Sequence, residues 1–225
     1  MTLALAAALS LLSNLPVAQE APVEKAPTEE ATVEELVEVA APAPSVSYAV
    51  NNADSLLYVV LNAPEDSKAH DHVVKAGDVQ GTVMWGESGR EIAVSFPVAS
   101  LAPDLDDMRA MVGFEDTLKA KHQAKVKKHL LDESQLDGES FESVSFTSTS
   151  ITESEAGWVV KGDMEIHGQT SSVETVLTVK EANGVFIGTG SFEISSTDFG
   201  FEPYSKGPYF NDDTMTVHVK LAGKS

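Results

Sequence analysis

From residue 45 onward, apolar and polar positions alternate with the two-residue period of a β-strand, and the alternation is interrupted once. "SVSYAV" and "DSLLYVVLNA" read as consecutive strands separated by "NNA", a break where asparagine tolerates positive φ. "HVVKAGDVQGTVMW" reads as one long strand whose Gly77 and Gly81 mark bends or bulges. "GESGR" then turns the chain into "EIAVSFPVAS", with Pro97 at an edge, a bulge or the strand's last residues. Between Asp104 and Leu131 the spacing becomes helical. Asp106 and Asp107 come early and lysines late, as the helix dipole favours, and Gly113 divides the segment into two short helices. Strands resume as "FESVSFTSTSI", "GWVVKGDMEIHG", "SSVETVLTVKEA", "GVFIGTGSFEIS" and "DTMTVHVKLA", with short turn-forming links "ESEAG" and "EANG". One helical insertion in a run of alternating strands without a βαβ rhythm predicts a closed antiparallel barrel or a sandwich. Long strands with internal glycine favour the barrel.

The first forty-five residues follow a different pattern. "MTLALAAALSLL" is an apolar run too short to span a bilayer, followed by a proline and small residues, so 1–18 reads as a secretory signal peptide, although no basic residue precedes the run. Residues 19–45 are rich in Ala, Pro and Glu, lack aromatic side chains, and read as a disordered acidic linker. The globular domain is expected over 46–225, in the periplasm or outside the cell. The formal net charge of −20 argues against nucleic acid or an anionic membrane as a partner. No cysteine is present, so a hydrophobic core has to hold the fold, and there is no thiol for a lipoprotein anchor. No later segment has the length and apolarity of a transmembrane helix.

"FESVSFTSTSI", then "GWVVKGDMEIHGQTSSVETVLTV", "GSFEISSTDFGF" and a final "DDTMTVHVKL" resemble the YceI-like family of periplasmic lipid-binding proteins, in order from about Tyr48 to Leu221. The most specific stretch is "GDMEIHGQT" (Gly162 to Thr170), and "HQAKVKKHLLDESQLDGESFESVSF" is similar to the family's helix, acidic loop and phenylalanine-bearing strand. "ESFES" stands where the family usually has "YP", and the loop "FEPYSKGPYFND" is unusual for it. The resemblance implies a lipocalin-like, all-β, eight-stranded antiparallel barrel with a short helical insertion. It also implies an interior that holds an isoprenoid or fatty amphiphile, and a binder or carrier without cofactor rather than an enzyme. A homodimer is left open.

Alternation nominates Leu57, Val59 and Leu61, Val94 and Phe96, Val144 and Phe146, Phe186 and Phe192, and Val217 with Val219 as inward-facing residues. They line a ligand cavity, or they fill the interior of a packed interaction module; eight strands sit at the boundary between the two outcomes. Lys119, Lys121, Lys125, Lys127 and Lys128, with His122 and His129, form a basic segment in an acidic chain. Lys121, Lys125 and Lys128 are head-group candidates for a phosphorylated amphiphile, against the alternative of a solvated helix end. His70 and His72 flank Asp71. They are weak metal candidates needing a third ligand such as His122 or His129, which with an open coordination position would make a metal-dependent enzyme the alternative function, or else a polar rim at the barrel mouth with Asp71 facing solvent. Trp85 and Trp158 read as core or rim aromatics, and Tyr204, Lys206, Tyr209 and Phe210 as a lid or a plain connection. Catalytic signatures are missing: "GESGR" lacks the spacing of a nucleophile elbow, and there is no P-loop, dinucleotide fingerprint or H-E-x-x-H.

Overall fold

A computed structural model describes residues 42–225; the expected signal peptide and most of the linker lie outside the described residues. The strands are β1 (Val46–Val50), β2 (Leu56–Leu61), β3 (His72–Lys75), β4 (Gln80–Trp85), β5 (Glu91–Pro97) and β6 (Ala102–Pro103), then β7 (Ser143–Ser154), β8 (Gly157–Ile166), β9 (Gln169–Ala182), β10 (Val185–Ser195), β11 (Ser205–Lys206), β12 (Tyr209–Phe210) and β13 (Thr214–Lys224). Two helices, α1 (Asp106–Met111) and α2 (Ala120–Leu130), separate β6 from β7.

The register reduces these pieces to eight long strands. β1 pairs with β13 at Ala49↔Lys224, and β2 continues along the same edge from Lys220↔Leu56 to Met215↔Leu61, so β1 and β2 are one bent strand. β3 and β4 pair with β2 and β1 respectively and form the second, while β5 and β6 pair with β4 and β3 and form the third. β7, β8, β9, β10 and β13 complete an up-and-down antiparallel meander, and the β1–β13 contact closes it. The structure is therefore a closed eight-stranded barrel. The long "HVVKAGDVQGTVMW" strand is broken at residues 76–79. Gly81 just beyond turns at φ 146°, where a Cβ would lie 2.1 Å from the Ala93 carbonyl oxygen, so no side chain fits at this bend. Pro97 is the last residue of β5, where its missing N–H costs no ladder bond.

On the later strands inward residues are buried and outward ones exposed. In β8, Val160, Met164 and Ile166 point to the core while Lys161, Asp163 and Glu165 face solvent. The β9–β10 turn carries Asn183 and Gly184 at φ 51° and 74°, the paired positive angles of a tight type I′ hairpin. Residues 43–45, expected in the linker, are already fastened to the fold. Ala43 N–H donates to Glu87, Ser88 donates to the Ala43 carbonyl, and Ser45 Oγ donates to the Gly89 carbonyl at 2.6 Å. "GESGR" is this β4–β5 connection, and its serine is an anchor for the incoming chain.

Candidate functional site

Two adjoining spaces occupy the barrel and its mouth. An inner chamber of about 160 Å³ runs between the strands with an almost wholly apolar wall. An outer vestibule of about 630 Å³ lies over the mouth, within the size range of small-molecule sites. Leu61, Val74, Leu130, Gln135, Phe201 and Met215 border both, so the vestibule and the chamber adjoin across this ring of side chains.

Leu57, Val59 and Leu61 of β2, Val94 and Phe96 of β5, and Val144 and Phe146 of β7 all face the chamber. Phe192 of β10 and Val217 and Val219 of β13 complete that set. Phe146 has room because Gly162 sits beneath it: a Cβ there would come within 2.4 Å of the ring. Phe186 is different. It points inward as alternation requires, yet it lies at the far end of β10, fully buried against Tyr48 and Trp85 with ring centroids 5.8 and 5.1 Å away, and lines neither space. Trp158 meets Trp85 edge-on at 5.0 Å, and the Arg90 guanidinium lies 4.1 Å from the Trp158 ring centroid. These aromatics fill the end of the barrel opposite the mouth. Alternation reports which face a residue takes and says nothing of its depth along the axis.

The vestibule is roofed by α2 and by the segment 201–212. Helical periodicity turns His122, Lys125, Val126, His129 and Leu130 of α2 onto its wall. Of the three lysines nominated for a head group, only Lys125 is on the wall: Lys121 and Lys128 share its exposed face, but lie roughly 40–60° further round the helix, just beyond the edge of the arc that faces the vestibule. α2 is held in place by Gln123, whose amide donates to the Asp104 carbonyl at 2.6 Å, and by Lys127, whose ammonium donates to the Ala99 carbonyl at 2.8 Å. From the facing segment Tyr204, Lys206 and Tyr209 line the wall while Phe210 does not. That segment is stitched to the 62–69 loop: Lys68 N–H donates to the Pro208 carbonyl at 2.7 Å, and Ser67 Oγ donates to the Phe210 carbonyl at 2.6 Å. Its downstream end is held at Asp213, which accepts from Ser196 Oγ at 2.5 Å and from Thr197 Oγ at 2.7 Å. Burial raises the Asp213 carboxyl, but these hydrogen bonds outweigh burial and leave it below the ordinary value.

His70 and His72 both line the vestibule, though not by strand alternation, since β3 begins only at His72. Asp71 is correspondingly not a free solvent-facing residue; it precedes the strand, and its carboxylate accepts the Ala63 N–H at 2.8 Å. His72 Nδ1 is 2.7 Å from Asp104 Oδ2, and His70 Nδ1 is 3.5 Å from Asp116. The two histidines thus engage separate carboxylates, and among the described residues no three His, Cys, Asp or Glu side chains gather as a metal set.

Asp104 organises this corner and escaped the sequence reading. It is completely buried at φ 56°, a left-handed conformation that aspartate tolerates. Its N–H donates to the Val73 carbonyl at 2.7 Å, and its carboxylate receives the Val73 N–H, His72 and Arg109 at 2.8 Å. Burial pushes its carboxyl up, yet the bonds from His72, Val73 and Arg109 prevail and hold it below its ordinary value. Arg109, equally buried, also donates to the Asp71 and Asp116 carbonyls and forms an ion pair with the Asp116 carboxylate. One signal was available: Arg90 and Arg109 are the only arginines in a lysine-containing chain, and arginine is the cation suited to planar, multidentate buried contacts.

A family model for the YceI-like domain matches residues 48–222. The chain belongs to the YceI-like family. No curated protein sequence matches it. Among solved structures it is similar to Burkholderia cenocepacia BcnA, at 15% identity over 77% of this chain and 98% of that one, with a TM-score of 0.58. It is also similar to a Campylobacter jejuni YCEI protein, at 10% identity over 90% and 100% of the two chains, with a TM-score of 0.42. YceI-like barrels are binding proteins rather than enzymes, the family is periplasmic, and the barrel is consistent with a hydrophobic ligand. No helix among the described residues is long and apolar enough to cross a membrane.

Proposed function

We propose that this protein is an exported carrier of a long-chain isoprenoid or fatty amphiphile, with the end of the tail in the barrel chamber and the remainder, with the polar end, in the larger vestibule. The observation that carries this reading is that an apolar chamber and a larger, polar-rimmed vestibule adjoin and share wall residues. A tail threaded past Leu61, Leu130 and Met215 would meet Val59, Phe146, Phe192 and Val217 and little that hydrogen-bonds. Each methylene so removed from water contributes about 0.8 kcal/mol, so a tail needs no polar contact to bind tightly, and the walls set little preference among tails. Export rests on the signal-like residues 1–18 and on the periplasmic character of the family.

The test is mass spectrometry of an organic extract of the protein purified without detergent from a bacterial periplasm, beside an unrelated exported control. A stoichiometric prenyl or acyl lipid absent from the control is expected. A protein that comes out empty and takes up no added lipid would overturn the carrier reading.

A further inference from the structure

We propose that the vestibule is a subsite for an anionic head group, a carboxylate or a phosphate, so that the protein selects acidic amphiphiles over neutral ones of the same chain length; this rests on the carrier reading above.

Charge is the first support. The chain carries a formal net charge of −20, yet the vestibule wall sets the ammonium groups of Lys125 and Lys206 against the single carboxylate of Asp212, with His122 and His129 beside them and His70 and His72 already facing Asp116 and Asp104. Hydrogen-bonding capacity is the second. The Asn211 side-chain nitrogen is buried on this wall without a partner, a donor left waiting for an acceptor. The lysine ammonium groups on the wall can only donate. His72 donates through Nδ1 to the Asp104 carboxylate, which leaves Nε2 as the ring nitrogen available to an occupant. A neutral alcohol or amide would satisfy few of these groups, whereas an oxyanion accepts from several at once, and hydrogen bonds between ionised partners are about twice as strong as neutral ones. Position is the third support. These groups lie outside the apolar neck formed by Leu61, Leu130 and Met215, where the polar end of an amphiphile with the end of its tail in the chamber must sit.

The experiment measures affinity by titration calorimetry at pH 7.5 for two chain-matched pairs, hexadecanoic acid with hexadecanol and farnesyl phosphate with farnesol. At least one acid is expected to bind about tenfold more tightly than its alcohol, a ratio that shrinks in 0.5 M salt and falls below about threefold in the double variant Lys125→Gln/Lys206→Gln. Preference in one pair alone supports the subsite and names the head group. Equal affinities within both pairs would overturn the subsite while leaving the carrier reading intact. Failure of all four ligands to bind would overturn both. The salt dependence is read on the unaltered protein, so the inference does not depend on how the variant folds.

Discussion

At one end of the barrel the rings of Tyr48, Trp85 and Phe186 are buried against one another, whereas at the other end histidines and lysines surround a cavity of about 630 Å³. The same eight strands run through both ends, so the difference lies in what meets the strand ends. At the aromatic end the connections are tight hairpins, and large inward rings close the gap to the density of a protein interior. At the mouth the helical insertion and the segment 201–212 stand away from the strands and face each other with polar side chains. Groups that must stay solvated or partnered cannot collapse onto one another as rings do. One end therefore contributes stability and the other offers a site.

Truncating the aromatic end should have the largest effect. Phe186→Ala is expected to lower the unfolding free energy by about 3–5 kcal/mol, the usual range for a fully buried aromatic; a loss under 1 kcal/mol in urea denaturation would mean that this end is not packed as described. At the mouth, Arg109→Ala should cost a comparable 3 kcal/mol or so, because it leaves Asp104 buried with one fewer counter-charge.

Asp104 also gives the mouth an acid dependence. Its carboxyl titrates below the ordinary 3.8, so its contribution is present above pH 3.8 and is lost as the pH falls through the depressed folded value. Asp104→Asn should flatten the stability–pH curve on that acid side, and an unchanged curve would remove Asp104 from the explanation.

The aromatic end should show the opposite, alkaline dependence. The Tyr48 hydroxyl donates to Glu181, and this hydrogen bond, with burial and the nearby negative charge, pushes the phenol up to about 12. Its contribution is thus complete below pH 10.0 and lost as the pH rises toward 12. Tyr48→Phe should remove that dependence at a cost of about 1 kcal/mol at neutral pH, as read from thermal melts across the alkaline range. The smallest effect should come from Lys128→Gln. With its side chain exposed and off the vestibule wall, it should change stability by less than about 0.5 kcal/mol and leave the acid-to-alcohol affinity ratio as it is. A fall in that ratio would extend the site onto the outer face of α2.

Much of the architecture was legible in local pattern. Alternation marked the strands, the shift to helical spacing marked the insertion that contains α1 and α2, and the inward faces of β2, β5, β7 and β13 could be read because a pleated strand sends every second side chain the same way. The order of β7, β8, β9 and β10 around the barrel also follows from the short hairpins between them. The site was legible only in fragments. Lys121, Lys125 and Lys128 do share one helix face, as their spacing requires, but only Lys125 reaches the vestibule wall, because the orientation of α2 over the mouth sets where the edge of that wall falls. His70 and His72 were joined by an alternation that begins only at His72.

Local pattern was enough for the long strands β7, β8, β9, β10 and β13, for the faces they bury, and for the need of a chain without cysteine to be held by an apolar core, because these properties depend on neighbours a few positions apart; the break at 76–79 and the short strands β6, β11 and β12 were not in that pattern. Tertiary structure alone decided that Phe186 plugs an end while Phe192, six residues on, lines a chamber. It alone brought His72, His122, Asn211 and Lys206 to one wall and placed Asp104 between His72 and Arg109. Depth along a barrel and convergence at its mouth are set by register and closure, through contacts between residues far apart in the chain, and local periodicity carries no record of them.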